Sequence, residues 1–197
     1  MTKTLYLMRH GQTLFNKRHR IQGWCDAPLT DLGVYQAQVA GQYFKNAGIT
    51  FDAAYSSTSE RACDTLEIVT NGSLPYQRVK GLKEWNFGTF EGESEDLNPP
   101  LPYEDFFVTY GGESQDQVRE RMAATILQLM QETKGKSVLM VSHGGAMANF
   151  ARAWEDNWRL DNLGHMTNCG ILKFSFEDDQ FYLEEAIGYD FSGWEEK

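Results

Sequence analysis

Residues Leu5-Tyr6-Leu7-Met8-Arg9-His10-Gly11 run from an apolar stretch straight into an arginine, a histidine and a glycine. Leu5 to Met8 reads as a short buried strand, and Gly11 lets the backbone turn sharply after it. Arg9 and His10 then sit at the strand's C-terminal edge, where open α/β sheets bind ligands. An imidazole beside a fixed positive charge suits a nucleophile that attacks an anion. Far downstream, Ser137-Val138-Leu139-Met140-Val141-Ser142-His143-Gly144-Gly145 repeats the pattern. An apolar run again ends in His-Gly, and a helical stretch again follows. The chain has four histidines, His10, His19, His143 and His165. Two of them hold the same strand-end position in different strands, which points to one site assembled from both ends of the chain.

Between these two landmarks, strand and helix signals alternate. Thr30 caps a helix expected from about Asp31 to Ala47, with Val34, Ala37, Ala40 and Phe44 as its apolar stripe and Gly48 closing it. Phe51 to Tyr55 reads as a strand. Ser57 and Glu60 have capping-box spacing before a helix that carries Ala62, Leu66 and Val69 and stops near Asn71-Gly72. Tyr76 to Val79 is a short strand. A second capping box, Ser114 with Gln117, opens a helix to about Glu132 with Val118, Met122, Ile126 and Leu129 inward. A helix from about Gly145 to Trp154 follows the second His-Gly. Ile171 to Phe176 and Phe181 to Ile187 flank Glu177-Asp178-Asp179-Gln180 as a β-hairpin. The expected fold is a three-layer α/β/α sandwich, with a mostly parallel sheet and a hairpin at one edge. No repeat or linker breaks residues 1–197, so one domain is expected. Gly, Pro and aromatic residues mix from Trp85 to Gly112, which reads as a lid-like insertion around 89–112 with a short helix near Glu104 to Tyr110.

Composition narrows the function. The 197 residues are 41% hydrophobic and carry a formal net charge of -10, which argues against non-specific nucleic-acid binding. A site for an anion must then concentrate its positive charge locally. Cys25, Cys63 and Cys169 are scattered and odd in number, as expected for free thiols in a reducing compartment. The first strand starts too early for a signal peptide, and no apolar run approaches the ~20 residues of a membrane span. A cytoplasmic protein without membrane partners is expected, and a homo-oligomer is compatible with the sequence.

Further groups suit phosphoryl chemistry. Arg61 falls in the first turn of the helix that Ser57 is expected to open, where its planar fork matches phosphate oxygens. His143 also opens a helix, so two helix N-termini are expected to converge on one anion. Breaking a P–O bond calls for a proton on the departing oxygen. Glu84, in Gly81-Leu82-Lys83-Glu84-Trp85-Asn86-Phe87-Gly88, is a candidate donor, and a carboxyl beside a phosphate dianion should hold its proton more tightly. The residues alone do not choose it over Glu91 or Glu93.

Taken in order, these blocks resemble the histidine phosphatase superfamily, in the branch that includes the cofactor-dependent phosphoglycerate mutases. The resemblance lies in Arg9-His10-Gly11-Gln12-Thr13 with Asn16, and in Pro28-Leu29-Thr30 with Gly33. It continues in Ser56-Ser57 with Arg61, Ala62 and Thr65, in Lys83-Glu84 with Phe87-Gly88 and Glu91-Gly92, and in Ser142-His143-Gly144-Gly145. It implies that His10 is the nucleophile and that Arg9, Arg61 and His143 hold the phosphoryl oxygens. It also implies Glu84 as the proton donor, with Asn16, Gln22, Gly23 and Gly144 lining the pocket. No metal or other cofactor is implied, since guanidinium groups stand where a metal would. The histidines also lack a spacing such as His-Glu-x-x-His.

The expected activity is a metal-independent phosphatase acting on a small phosphorylated metabolite through a phosphohistidine. The rival is a phosphoglycerate mutase, which returns the phosphoryl group to another hydroxyl. The Gln12-Thr13 pair resembles the phosphatase members, because the mutases tend to carry Glu-Ser there. A non-catalytic binding module would have lost His10, Arg61, Glu84 or His143, and all four are present. Lys17-Arg18-His19-Arg20 is the densest basic cluster. It reads either as a grip for a second acidic group or as a solvated loop.

Overall fold

The computed structural model describes residues 2–164 and 166–194. Its strands are β1 (Lys3–Arg9), β2 (Ala53–Ser56), β3 (Gln77–Arg78), β4 (Ser137–Ser142), β5 (Ile171–Glu177) and β6 (Gln180–Ile187). They form one sheet in the order β3-β2-β4-β1-β5-β6. The first four strands in that order run parallel, and β5 and β6 are antiparallel. The helices are α1 (Leu14–Lys17), α2 (Asp31–Asn46), α3 (Glu60–Val69), α4 (Gln115–Glu132) and α5 (Gly144–Arg152).

The layers follow from side-chain alternation in the two central strands. Leu5 and Leu7 of β1, with Val138 and Met140 of β4, join a core that includes Val118, Met122 and Ile126 of α4 and Met147 and Phe150 of α5. Tyr6 and Met8, with Leu139 and Val141, pack on the opposite face against Ala37, Ala40 and Phe44 of α2 and Ala62 and Leu66 of α3. Strands covered on both faces are apolar at successive positions, which is why β1 and β4 lack a polar alternation. The expected sandwich is therefore observed, with α2 and α3 on one side and α4 and α5 on the other.

Several local devices match their sequence signals. Gly33 N–H donates to Thr30 Oγ1 at the start of α2. Ser114 and Gln117 exchange both capping bonds at the start of α4. Asp178 and Asp179 both have positive φ, 50° and 59°, which turns the β5–β6 hairpin in two residues. Other boundaries differ. The strand expected over Phe51 to Tyr55 starts at Ala53, because Asp52 instead accepts the N–H groups of Lys136 and Ser137. The strand expected over Tyr76 to Val79 contracts to Gln77–Arg78 at the sheet edge.

The Ser57–Glu60 capping box does not form. Ser59 is the N-cap of α3 and its side chain makes no capping bond. Gly11 also serves differently than expected. Its φ is not among the positive values, and a Cβ there would meet Gly33 O at 2.5 Å. Close approach of two backbones, rather than an unusual turn, demands glycine there.

Residues 88–110 contain three 3-10 turns, Gly88–Phe90, Glu95–Leu97 and Phe106–Tyr110, the last replacing the expected short helix. Phe87, Phe90, Tyr103, Phe106 and Phe107 join this segment edge-to-face, and Trp85 and Phe107 are buried in the α4–α5 core. These rings are mainly packing. Among the described residues, no helix is long and apolar enough to cross a membrane.

Candidate active site

Because β1 and β4 are parallel neighbours, Arg9 pairs in register with Ser142. The next residues, His10 and His143, leave adjacent strands at the same edge. Their ring centroids lie 5.2 Å apart. A cleft of about 350 Å³ opens there, lined among others by Arg9, His10, Asn16, Gln22, Glu84 and Gly144.

His10 is buried, and its Nδ1 lies 2.7 Å from Gly11 O. A carbonyl only accepts, so Nδ1 carries the proton and Nε2 keeps its lone pair. Burial lowers the pKa of His10 well below the ordinary imidazole range, and the charges of Arg61 and Arg9 push it the same way. A neutral imidazole with a free Nε2 is the nucleophilic form. His143 is also buried, and its pKa is lowered by burial, Arg61 and His10. Its Nε2 lies 2.8 Å from Ser57 Oγ, which already accepts the Ser59 N–H.

Arg61 differs most from its sequence reading. It is completely buried, and its two terminal nitrogens are engaged within the protein. Nη1 donates to Cys25 O and Asp26 Oδ1, and Nη2 donates to Gly23 O. The fork therefore clamps the 23–26 loop instead of facing a phosphate. What is left is Nε, a buried donor without a partner. Arg9 shows the same division: Nη1 donates to Met166 O, and Nε is a buried donor without a partner. His143 Nδ1 is a third unpartnered buried nitrogen. Unpaired buried polar atoms cost ~1–3 kcal/mol each, so three of them on residues that act on His10 or pack against it mark a place built for an acceptor-rich ligand. Of the three residues only Arg9 lines the cleft, and Arg61 and His143 are fully buried and do not.

The two helix N-termini expected to meet an anion are occupied by carboxylates of the protein itself. At α3, Asp26 Oδ2 accepts the Glu60 N–H. At α5, Glu84 accepts the N–H groups of Gly145 and Ala146, and that of Trp85 as well. The free N–H groups of a helix start attract any nearby anion, and here a side chain arrives first. This anchors the Glu84 carboxylate at the cleft wall. The Arg121 guanidinium holds the same segment from behind, donating to the carbonyls of Gly81, Lys83 and Glu84 while paired with Glu113.

Geometry separates the three candidate carboxylates. Glu84 lines the cleft. Glu91 is committed to four backbone donors, the N–H groups of Gly23, Trp24, Cys25 and Phe87. Glu93 is not among the cleft residues. Gly23 is also absent from the cleft wall. Its N–H goes to Glu91 and its carbonyl to Arg61, so it supports the site from behind. Asn16 and Gln22 do reach the cleft. Asn16 closes a capping box with Thr13, and Gln22 Oε1 accepts the Thr13 hydroxyl. Of the basic cluster, Arg20 alone lines the cleft, and His19 lies 3.5 Å from Glu95.

Among the cleft residues that were not singled out from the sequence are Asn149, Arg152 and Tyr103. The signal for the first two was available. Gly145, Asn149 and Arg152 recur at helical spacing on the face that starts at the His-Gly pair. Among the described residues, no group of three or more His, Cys, Asp or Glu is arranged to hold a metal ion.

Comparison with known proteins matches this arrangement. The model of the histidine phosphatase superfamily (branch 1) matches residues 5–187. The chain is 31% identical over 172 residues to a 2,3-bisphosphoglycerate-dependent phosphoglycerate mutase of Parvibaculum lavamentivorans, covering 75% of this chain and 77% of the relative. A phosphoglycerate mutase structure from Bacillus anthracis superimposes with a TM-score of 0.80 at 29% identity, covering 93% of this chain and 92% of that one. A phosphoserine phosphatase from Entamoeba histolytica, in complex with 3-phosphoglyceric acid, superimposes with a TM-score of 0.76 at 29% identity, covering 95% and 98%. With the family model spanning nearly the whole chain and both ends of the cleft inside the match, this protein belongs to branch 1 of the histidine phosphatase superfamily.

Proposed function

We propose that this protein is a phosphatase that hydrolyses a small phosphorylated metabolite through a phosphohistidine at His10. One observation carries the reading. His10 Nδ1 is tied to Gly11 O, which leaves Nε2 unprotonated, and Arg9, Arg61 and His143, whose charges or ring bear on His10, each keep one nitrogen without a partner.

The chemistry balances without further reactants than water. Nε2 of His10 attacks phosphorus, and the ester P–O bond breaks with its electron pair going to the leaving oxygen. Glu84 gives that oxygen a proton. The Nε groups of Arg9 and Arg61, with His143 Nδ1–H, stabilise charge on the phosphoryl oxygens, which is commonly the largest catalytic term. Glu84 then takes a proton from water as the water oxygen bonds to phosphorus. The N–P bond breaks, its electrons return to Nε2, and inorganic phosphate leaves. The three cysteines are free thiols, which supports a place in the cytoplasm.

The second reading is a mutase, favoured by the name of the Parvibaculum relative and of the Bacillus structure. It shares the first half-reaction and differs in whether water or a second hydroxyl takes the phosphoryl group. The resemblance of the Gln12-Thr13 pair to the phosphatase members supports the phosphatase. Thr13 is committed to capping α1 and to Gln22, and the Gln12 side chain to the Thr30 hydroxyl. The deciding experiment is rapid quench with a ³²P-labelled phosphomonoester, with phosphate release and bisphosphoglycerate-primed mutase turnover followed in parallel. The expected result is an acid-labile, base-stable label absent from His10→Ala, with phosphate release well in excess of mutase turnover. A label that persists in His10→Ala overturns the mechanism, and mutase turnover in excess overturns the phosphatase reading.

A further inference from the structure

Helix α2 carries a buried polar side chain that lines no part of the cleft. Gln36 shares the buried face of that helix with Gly33, Ala37, Ala40 and Phe44, and is 7% exposed. A buried amide calls for partners. Its Oε1 accepts the Gln12 N–H at 2.9 Å, and since a backbone N–H only donates, the orientation of the amide is settled. The helix brings it there by close approach. Gly33 lies three residues earlier on the same face, and a Cβ on it would meet Gln12 O at 2.1 Å, so α2 rests directly on the Gly11-Gln12 backbone. Side chains on a helix lean toward its N-terminus, which carries the Gln36 amide back to the level of Gly33.

The peptide that Gln36 holds is the one that orients the nucleophile. The Gly11 carbonyl and the Gln12 N–H belong to a single planar unit and point in opposite directions. With the N–H fixed toward Gln36, the carbonyl is fixed toward His10, 2.7 Å from Nδ1. The neighbouring peptides are held by other groups. The Gly11 N–H donates to Thr65 Oγ1, His10 O accepts from Asn168 Nδ2 and the Cys169 N–H, and Gln12 O accepts the Thr30 N–H. Among the described residues, Gln36 is the partner on the N–H side of the Gly11–Gln12 unit. A glycine precedes that unit, and glycine gives the backbone its greatest freedom to rotate, so the carbonyl needs an anchor to stay on His10.

Resting on the assignment of His10 as the nucleophile, we infer that Gln36 is a positioning residue: it holds the Gly11 carbonyl against His10, which keeps the ring proton on Nδ1 and the lone pair on Nε2. Its effect grows along the reaction. As Nε2 bonds to phosphorus the ring becomes positively charged, and the bond from Nδ1–H to Gly11 O becomes charge-assisted and stronger. A contact that is stronger in the transition state than in the ground state acts on kcat more than on KM.

The test removes the acceptor and reads the ring. In protein carrying isotope-labelled histidine, long-range proton–nitrogen spectra distinguish a ring protonated at Nδ1 from one protonated at Nε2, and the His10 signals are those lost in His10→Ala. The wild type should show the Nδ1–H form, and Gln36→Met a mixture of both. In rapid quench with ³²P-labelled p-nitrophenyl phosphate, whose leaving group needs little help from Glu84, Gln36→Met should form the phosphohistidine about 10-fold more slowly, the size of one hydrogen bond. KM should change by less than about 2-fold. Gln36→Glu keeps an acceptor oxygen at the same reach and should return the ring to the Nδ1–H form with most of the rate. Gln36→Asn, whose amide stops one methylene short, should behave as Gln36→Met and serves in its place if the methionine variant fails to fold. A wild-type tautomer and rate in Gln36→Met or Gln36→Asn would overturn the proposal, and so would a glutamate variant as impaired as the methionine one. If the wild type forms no label on His10, the phosphohistidine reading fails, while the ring spectra still decide what Gln36 does.

Discussion

Ser57 Oγ lies 2.8 Å from His143 Nε2 while accepting the Ser59 N–H. With one lone pair engaged, the hydroxyl is placed to donate its own proton to Nε2. That fixes the proton of the neutral ring on Nδ1, the nitrogen left without a protein partner. Ser57→Ala should release the ring to either tautomer and lower kcat about 10-fold, with KM changing less, because the lost donor acts most in the transition state. Ser57→Thr should retain most activity. Vanadate inhibition should weaken in Ser57→Ala in step with kcat. An alanine variant with unchanged kcat would assign the serine to packing alone.

Glu84 should matter most where the leaving oxygen is a poor leaving group. Glu84→Gln should slow an alkyl phosphate by ~10²–10⁴-fold and an activated aryl phosphate far less. Steady-state rates over a series of leaving groups give the comparison directly. Equal losses across the series would mean that the carboxylate only organises the start of α5.

Gly145 controls where that carboxylate sits. A Cβ on residue 145 would lie 2.9 Å from Glu84 Oε1 and 3.4 Å from its carboxyl carbon. The crowded atoms are the carboxylate that the N–H groups of Trp85, Gly145 and Ala146 hold, so Gly145→Ala should strain that anchorage at a cost of about 1–3 kcal/mol. It should also reproduce part of the Glu84→Gln leaving-group dependence. Thermal unfolding beside the rate series checks both halves. A large stability loss with an unaltered leaving-group dependence would contradict this account.

Folding stability should fall with acid below about pH 6.5. His10 and His143 are buried and held neutral well below the ordinary value of 6.5, whereas in the unfolded chain they take up protons near it. Below that pH the unfolded state binds more protons, so stability is present above it and is lost as pH falls toward the lowered folded values. Each histidine contributes a slope of up to about 1.4 kcal/mol per pH unit. Urea unfolding at pH 7.5 and 5.5 should show the loss, and His10→Gln/His143→Gln should reduce the slope. An unchanged slope in the double variant would assign the acid sensitivity to other groups.

The basic cluster should divide by position. Arg20 reaches the cleft, whereas Arg18 is exposed and does not line it. Arg20→Gln should raise KM for carboxylated or doubly phosphorylated substrates, more so at low salt, and Arg18→Gln should change KM by less than about 2-fold. Kinetics at two ionic strengths separate the two. Equal effects would mean that both act through long-range charge alone.

Much of this protein was legible in the order of its residues. The apolar runs ending in Arg9-His10-Gly11 and in His143-Gly144 marked two strand ends. Continuous apolar runs also showed strands buried on both faces, so the layered sheet followed. Thr30 and the Ser114–Gln117 box marked helix starts because a cap is a bond between near neighbours. What tertiary structure decided were the long-range partners of polar groups. The spacing of Ser57 and Glu60 suggested a cap, but packing against β4 turned the Ser57 hydroxyl to His143 instead. Arg61 was placed correctly on its helix, yet the 23–26 loop claimed two of its nitrogens and left only Nε. The N-terminus of α5 was read as open to an anion, but Glu84 arrives from 61 residues away in sequence to occupy it. Local patterns set which elements form, because their determinants lie within a few residues. Which donor meets which acceptor across the cleft depends on how distant segments pack, and no local pattern encodes that.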